Sequence, residues 1–367
     1  MANPVIFVHG IEASWLKNHY PVDYQNEIYW DAVFNKQYDK LRLSPWNVDM
    51  DQDLSSMIYP HQTIGLVYGG MMNELRQDVT PASYVFTYDW RKDNRISAAQ
   101  LAAFIELVLH KTNRDGIPSP GKVSLVGHSM GGLVIKWCVL NVLKDEAGSK
   151  VDRIVTICTP YKGSIKAIEA LLPGARNFFG QEHDKSMRLA ARTFPGLYQL
   201  LPSYEGAVVS EKGRPLDIFD PDSWQRSLLS AFDDRGAYPA GFFKARLDDA
   251  RKFAQEIDRA YPPEIDGRFG HIYGIGSTTW RTIKVDTTKG NEFDFADVES
   301  DNQGDGTVHR KAAEIAGKSP ILIDKNEIGD LVVGQHANAT THHPVQDALV
   351  DALRDDGGTH AHFVSPR

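Results

Sequence analysis

Cysteine is nearly absent: Cys138 and Cys158 are the only two in 367 residues. One falls in an apolar helical pattern and the other in a strand-like run, so they read as small core residues and not as a disulfide. Positive charge is also in deficit, with a formal net charge of -8. Binding to nucleic-acid phosphates needs a basic face, and strong attraction to anionic membranes needs the same, so the charge argues against a nucleic-acid partner and disfavours strong attraction to an anionic membrane. No apolar run is long enough to span a bilayer. The first residues carry no basic segment and enter a strand almost at once, which makes a cytoplasmic location the expectation. Repeats and low-complexity blocks are missing too. What remains is an ordinary globular composition, 42% hydrophobic and 24% charged, in a chain long enough to bury a large core.

Strand-like and helix-like patterns alternate along the chain, which predicts a mostly parallel sheet with helices on both faces. The strand candidates are Val5–Val8, Tyr84–Tyr88, Lys122–Val126, Arg153–Cys158, His271–Gly274 and Leu331–Val333. Ser97-x-x-Gln100 reads as a capping box opening a helix over Ala98–His110. Two stretches break the alternation, 15–74 and 161–270, and insertions of that length commonly form caps, lids and substrate pockets. Within the second, Ile168, Leu171, Leu172, Phe178 and Phe179 gather around Pro173-Gly174. They read as a core-facing helix and turn, or as a lid edge that meets acyl chains. The expectation is one domain over 1–353 with these insertions, and a flexible tail over 354–367.

The chemistry is signalled at Val123-Ser124-Leu125-Val126-Gly127-His128-Ser129-Met130-Gly131-Gly132. An apolar run feeds Gly-x-Ser-x-Gly and a helix-like pattern follows, the strand, sharp turn and helix of a nucleophile elbow. Such a turn lifts the Ser129 hydroxyl clear of both elements. It also sets the N–H of Met130 at a helix N-terminus, where negative charge is favoured.

A nucleophilic serine needs a base, and the base needs an orienting carboxylate, here in the order Ser, Asp, His. Gly304-Asp305-Gly306 offers the acid, although Asp-Gly is equally the signature of a solvated turn. Asp297, Glu299 and Asp301 lie nearby, but their spacing does not match a calcium loop. No metal and no organic cofactor is implied. The base should follow the last strand and precede the final helix. His336 fits, with Pro344 opening that helix. His343 is the alternative base, His309 is too close to Asp305, and His360 and His362 fall in the tail. A second oxyanion donor comes from the loop after an early strand, Val5-Ile6-Phe7-Val8-His9-Gly10-Ile11, which assigns the N–H of Ile11. His9 precedes the nucleophile and reads as a loop-fixing residue. His9, Gly10, His128, Tyr161, Phe178 and Phe179 are further candidates for substrate contact. Asp89-Trp90-Arg91 reads as an ion pair and an aromatic plug near the site.

These stretches, with Pro4 to Ser14, Tyr88 to Arg91, Thr159-Pro160-Tyr161-Lys162-Gly163-Ser164, Leu200-Leu201-Pro202-Ser203 and Gly304 to Val308, resemble the lecithin:cholesterol acyltransferase and lysosomal phospholipase A2 family of α/β-hydrolases. The resemblance implies an α/β-hydrolase fold with cap insertions. It implies Ser129, Asp305 and His336 as the triad and Ile11 at the oxyanion position. The chain departs from the family at His9-Gly10, where Pro-Gly is usual, and at Glu12-Ala13-Ser14, where Met-Gly-Ser is usual. It also lacks the lid disulfide of the secreted members. The expected activity is hydrolysis of ester-linked fatty acyl groups through an acyl-enzyme, with transfer to an alcohol as a minor branch and transient contact with a lipid surface. A non-lipid esterase, thioesterase or amidase would use the same triad, and an inactive binding protein could share the scaffold.

Overall fold

The computed structural model describes residues 2–18, 28–31, 37–47, 58–116, 121–172, 185–315, 318–324 and 335–354. Its centre is a six-stranded sheet built from β1 (Val5–Val8), β2 (Ser83–Phe86), β3 (Val123–His128), β4 (Val151–Ile157), β5 (Phe269–Ile275) and β6 (Ile321–Asp324). The spatial order is β6-β5-β4-β3-β1-β2, and every pairing is parallel. β1 and β3 are buried along their whole length, which is why Val-Ile-Phe-Val and Val-Ser-Leu-Val read as continuous apolar runs and not as alternating ones. Helices Asn94–Arg114, Met130–Trp137 and His343–Arg354 flank the sheet and bury apolar stripes, Leu101, Ile105 and Val108 in the first and Val345, Leu349 and Leu353 in the last.

One sequence expectation needs revision. The helix expected from Ala98 begins at Asn94, with Asp93 as its cap: the Asp93 carboxylate accepts from the Arg95 N–H at 2.7 Å. Asp93 follows the bend at Trp90-Arg91 directly and takes the capping role, leaving Ser97 buried one turn in. The strand expected at Leu331–Val333 lies outside the described residues; β6, which pairs with β5, is Ile321–Asp324. The 15–74 stretch is partly regular. Ser14–Asn18, Ile28–Trp30 and Ile58–Thr63 form a small antiparallel sheet, followed by a helix over Gly65–Glu74. The 161–270 stretch is largely helical where described, its longest helix being Phe242–Ile257.

The Asp89-Trp90-Arg91 segment fastens both insertions to the sheet. Arg91 donates to Asp89 through Nε and Nη2 at 2.9 and 2.7 Å, and through Nη1 to the Leu41 carbonyl at 2.8 Å. Trp90 donates to the Ser14 carbonyl and packs edge-on against Trp30 and Phe194. Cys138 and Cys158 are buried free thiols. Among the described residues, no helix is long and apolar enough to cross a membrane.

Candidate active site

At the C-terminal end of β3 the chain turns sharply into the Met130–Trp137 helix, with Ser129 at φ +53° and ψ -128°. A non-glycine residue at that φ is strained, and it is held there because its surroundings over-determine it. A Cβ on Gly131 would collide with the carbonyl oxygens of Val8 and His9, and one on Gly127 would lie 2.8 Å from Ile135 Cδ1. The turn therefore needs glycine on both sides of the serine, and β1 runs directly beneath it.

Ser129, Asp305 and His336 come together at this turn from segments far apart in the chain. The Ser129 hydroxyl donates to His336 Nε2 at 2.8 Å, and His336 Nδ1–H donates to Asp305 Oδ2 at 2.7 Å. The other Asp305 oxygen accepts from the Thr307 and Val308 N–H groups at 3.0 and 2.8 Å. One oxygen thus fixes the turn and the other orients the imidazole. Burial opposes ionisation of Asp305, but His336 and those two N–H groups outweigh it and hold its pKa below the ordinary carboxylate value. The Tyr273 hydroxyl donates to the Gln303 carbonyl, and Ser164 Oγ donates to the Thr307 carbonyl at 2.6 Å, so the Thr-Pro-x-x-Gly-Ser stretch braces the Asp305 loop.

Met130 is the first residue of its helix, so its N–H has no intrahelical acceptor. Ile11 lies in the turn after β1 and lines the space above Ser129, together with Gly10, Ala13, Val67, Tyr68, His128, His336 and Ala337. That space is about 20 Å³, room for roughly one water. Its cover comes from β1's loop and from the Gly65–Glu74 helix.

The other candidates divide. Gly10 and His128 border the site. His9 is sealed beneath it, donating from Nδ1 to the Gly10 carbonyl, accepting at Nε2 from the Tyr88 N–H and stacking on the Tyr88 ring; burial lowers its pKa to about 4. Tyr161 is buried elsewhere, its hydroxyl bonded to Thr156 Oγ1. Phe178 and Phe179 lie outside the described residues. His343 is exposed at the start of the last helix. His309 bonds to Asp301 and caps its own short helix.

Two contributors carried no sequence signal. Cys158, in the positive-φ position after β4 (φ +52°), sets its thiol against Asp305, and burial together with that carboxylate raises its pKa well above the usual thiol value. Its sulfur, an Asp305 oxygen and a His336 nitrogen lie within 4.8 Å of one another and are the one group of three potential metal donors among the described residues. Since His336 and Asp305 are bonded to each other there, a metal would compete with that bond. Tyr68 is the second, and its bonds are described below.

The parallel sheet, the elbow and the residues gathered at its C-terminal edge define an α/β-hydrolase. Residues 76–222 match the family model described as lecithin:cholesterol acyltransferase, so the resemblance read from the motifs is borne out over that stretch. Among solved structures, a chain of the Tle4–Tli4 complex aligns with a TM-score of 0.67 at 16% identity, over 96% of this chain and 98% of that one. Bacillus licheniformis lipase BlEst2 in mature form aligns at 0.39 and 15% identity, over 95% of this chain and 92% of that one. Phospholipase PlaB from Legionella pneumophila aligns at 0.44 and 13% identity, over 96% of this chain and 59% of that one. No curated protein matches the chain.

Proposed function

We propose that this protein is a serine hydrolase of ester-linked fatty acyl groups. The observation that carries the reading is the unbroken hydrogen-bond chain from Ser129 through His336 to Asp305, at 2.8 and 2.7 Å, beneath an apolar cover. Ser129 attacks the ester carbonyl while His336 Nε2 takes its proton. Asp305 keeps the proton on Nδ1 and stabilises the imidazolium. The N–H groups of Ile11 and Met130 receive the oxyanion. His336 then protonates the leaving alcohol, and water resolves the acyl-enzyme by the reverse sequence.

The lipid side of the reading rests on the family match over 76–222 and on the side chains above the serine, where Ile11, Ala13, Val67 and Ala337 offer an acyl chain only hydrocarbon. Because the space is so small, these side chains must part to admit the chain. Water is the main acceptor: among the described residues at the site none marks a sterol or alcohol pocket, and water outnumbers any acceptor. The test is incubation with a total lipid extract and product analysis by mass spectrometry, with Ser129→Ala as control. Free fatty acid with the matching deacylated lipid, absent from the control, is expected. Turnover confined to short-chain or amide substrates would move the protein to the non-lipid esterases or amidases.

A further inference from the structure

Tyr68, on the Gly65–Glu74 helix, takes part in no step of that mechanism, yet it is 1% exposed and lies against the site. Its hydroxyl accepts from the Gly10 N–H at 3.3 Å and bonds to His128 Nδ1 at 2.9 Å. The other ring nitrogen of His128 bonds to the backbone carbonyl of His336 at 3.0 Å. The direction of every bond is fixed. A carbonyl can only accept, so His128 Nε2 carries the proton. In a neutral ring Nδ1 is then an acceptor, so Tyr68 donates to it and turns a lone pair to Gly10. The ring does stay neutral: burial, and then the neighbouring His336, hold its pKa down to about 3 against the pull of Asp305, with His9 adding to the lowering. Tyr68 also packs on Phe7 of β1, ring centroids 4.7 Å apart, which leaves its hydroxyl little freedom to choose other partners.

We infer that Tyr68 and His128 are positioning residues that form a single proton-ordered bridge, locking the oxyanion loop at Gly10-Ile11 to the backbone of the catalytic base at His336. The two halves of the machinery come from opposite ends of the chain, and the bridge links them by side-chain and backbone hydrogen bonds. Through the bridge, the donor at Ile11 and the imidazole at His336 are held in one frame with the elbow, because His128 is the residue just before Ser129. The histidine in the second position of Gly-His-Ser suits this bridge because its ring accepts at one end and donates at the other.

This inference rests on the proposed function for its reactive groups, so the assay is labelling of Ser129 by a fluorophosphonate, which needs nucleophile, base and oxyanion hole but no particular lipid. Tyr68→Phe keeps the ring and removes the donor; the labelling rate is expected to fall by up to about a hundredfold, the scale of a small misplacement of reacting groups, with the probe concentration for half-maximal rate little changed. His128→Asn can still accept from Tyr68 but cannot reach the His336 carbonyl. His128→Gln places an amide donor near the Nε2 position while its amide oxygen can accept from Tyr68, and should keep at least about tenfold more of the rate than His128→Asn, a rescue that packing alone does not predict. The double variant Tyr68→Phe/His128→Asn should lose no more than the worse single variant, since both break one bridge. Additive losses, equal rates for the Asn and Gln variants, or wild-type labelling by Tyr68→Phe would each overturn the bridge while leaving the proposed function standing. A wild-type protein that does not label at all would instead remove the function.

Discussion

Asparagine in place of Asp305 changes no volume and should nevertheless stop the reaction. The Thr307 and Val308 N–H groups, at 3.0 and 2.8 Å, demand an acceptor at the position of Oδ1. An asparagine must therefore aim its carbonyl at them and its NH₂ at His336. That NH₂ can only donate, so His336 Nδ1 loses its proton and becomes the acceptor, and the proton moves to Nε2. Nε2–H then points at Ser129, 2.8 Å away, and the imidazole can no longer accept the serine's proton. A reversed tautomer of this kind costs about ten-thousand-fold in kcat in a comparable triad, or about 5.5 kcal/mol of barrier. Steady-state hydrolysis of a chromogenic ester measures it, alongside thermal unfolding to show that the fold is kept. Retention of more than about a tenth of the wild-type kcat would refute the tautomer argument, and with it the role given to the Asp305 clamp.

Three other outcomes follow from the same geometry. His336→Ala should match Ser129→Ala in severity, whereas His343→Ala, at an exposed position, should stay near wild type; the reverse pattern in ester hydrolysis would shift the base by one loop. His9, His128 and His271 are buried, with pKa values lowered by burial to about 4, 3 and 4. Each stays neutral in the fold where the unfolded chain takes up a proton near pH 6.5, so stability is full above that pH and is lost as pH falls toward the folded values, by roughly 1.4 kcal/mol per pH unit for each ring; urea unfolding at pH 7 and pH 5 reads this, and equal stabilities would contradict it. With a labelled acyl donor and excess long-chain alcohol in micelles, free fatty acid should remain the main product, and acylated alcohol as the dominant product would make the protein a transferase.

Local features were legible in the sequence and long-range ones were not. The elbow at Gly127–Gly131 is written in consecutive residues because a strand, a strained turn and a helix are each short-range structures. β1, β3 and β4 announce themselves as apolar runs because both faces of the sheet are covered. The Ile321–Asp324 strand is not marked in the sequence: it is four residues at the sheet edge, half-buried, with no long apolar run. The start of the Asn94–Arg114 helix is ambiguous in the sequence because Ser97 and Asp93 both satisfy capping rules, and the bend at Trp90-Arg91 decides between them. Tyr68 and Cys158 were invisible as site residues. Their importance lies in contacts with Gly10, His128 and Asp305 that only the folded sheet creates, and a tyrosine among apolar helix residues reads from sequence as core.

The most direct test of the account is the site of covalent capture. After reaction with a fluorophosphonate and proteolysis, mass spectrometry should find the adduct on the peptide containing Ser129, and it should vanish in Ser129→Ala and be nearly lost in His336→Ala. An adduct on any other residue, or full labelling of the His336→Ala protein, would contradict the assignment of Ser129 as nucleophile and His336 as its base.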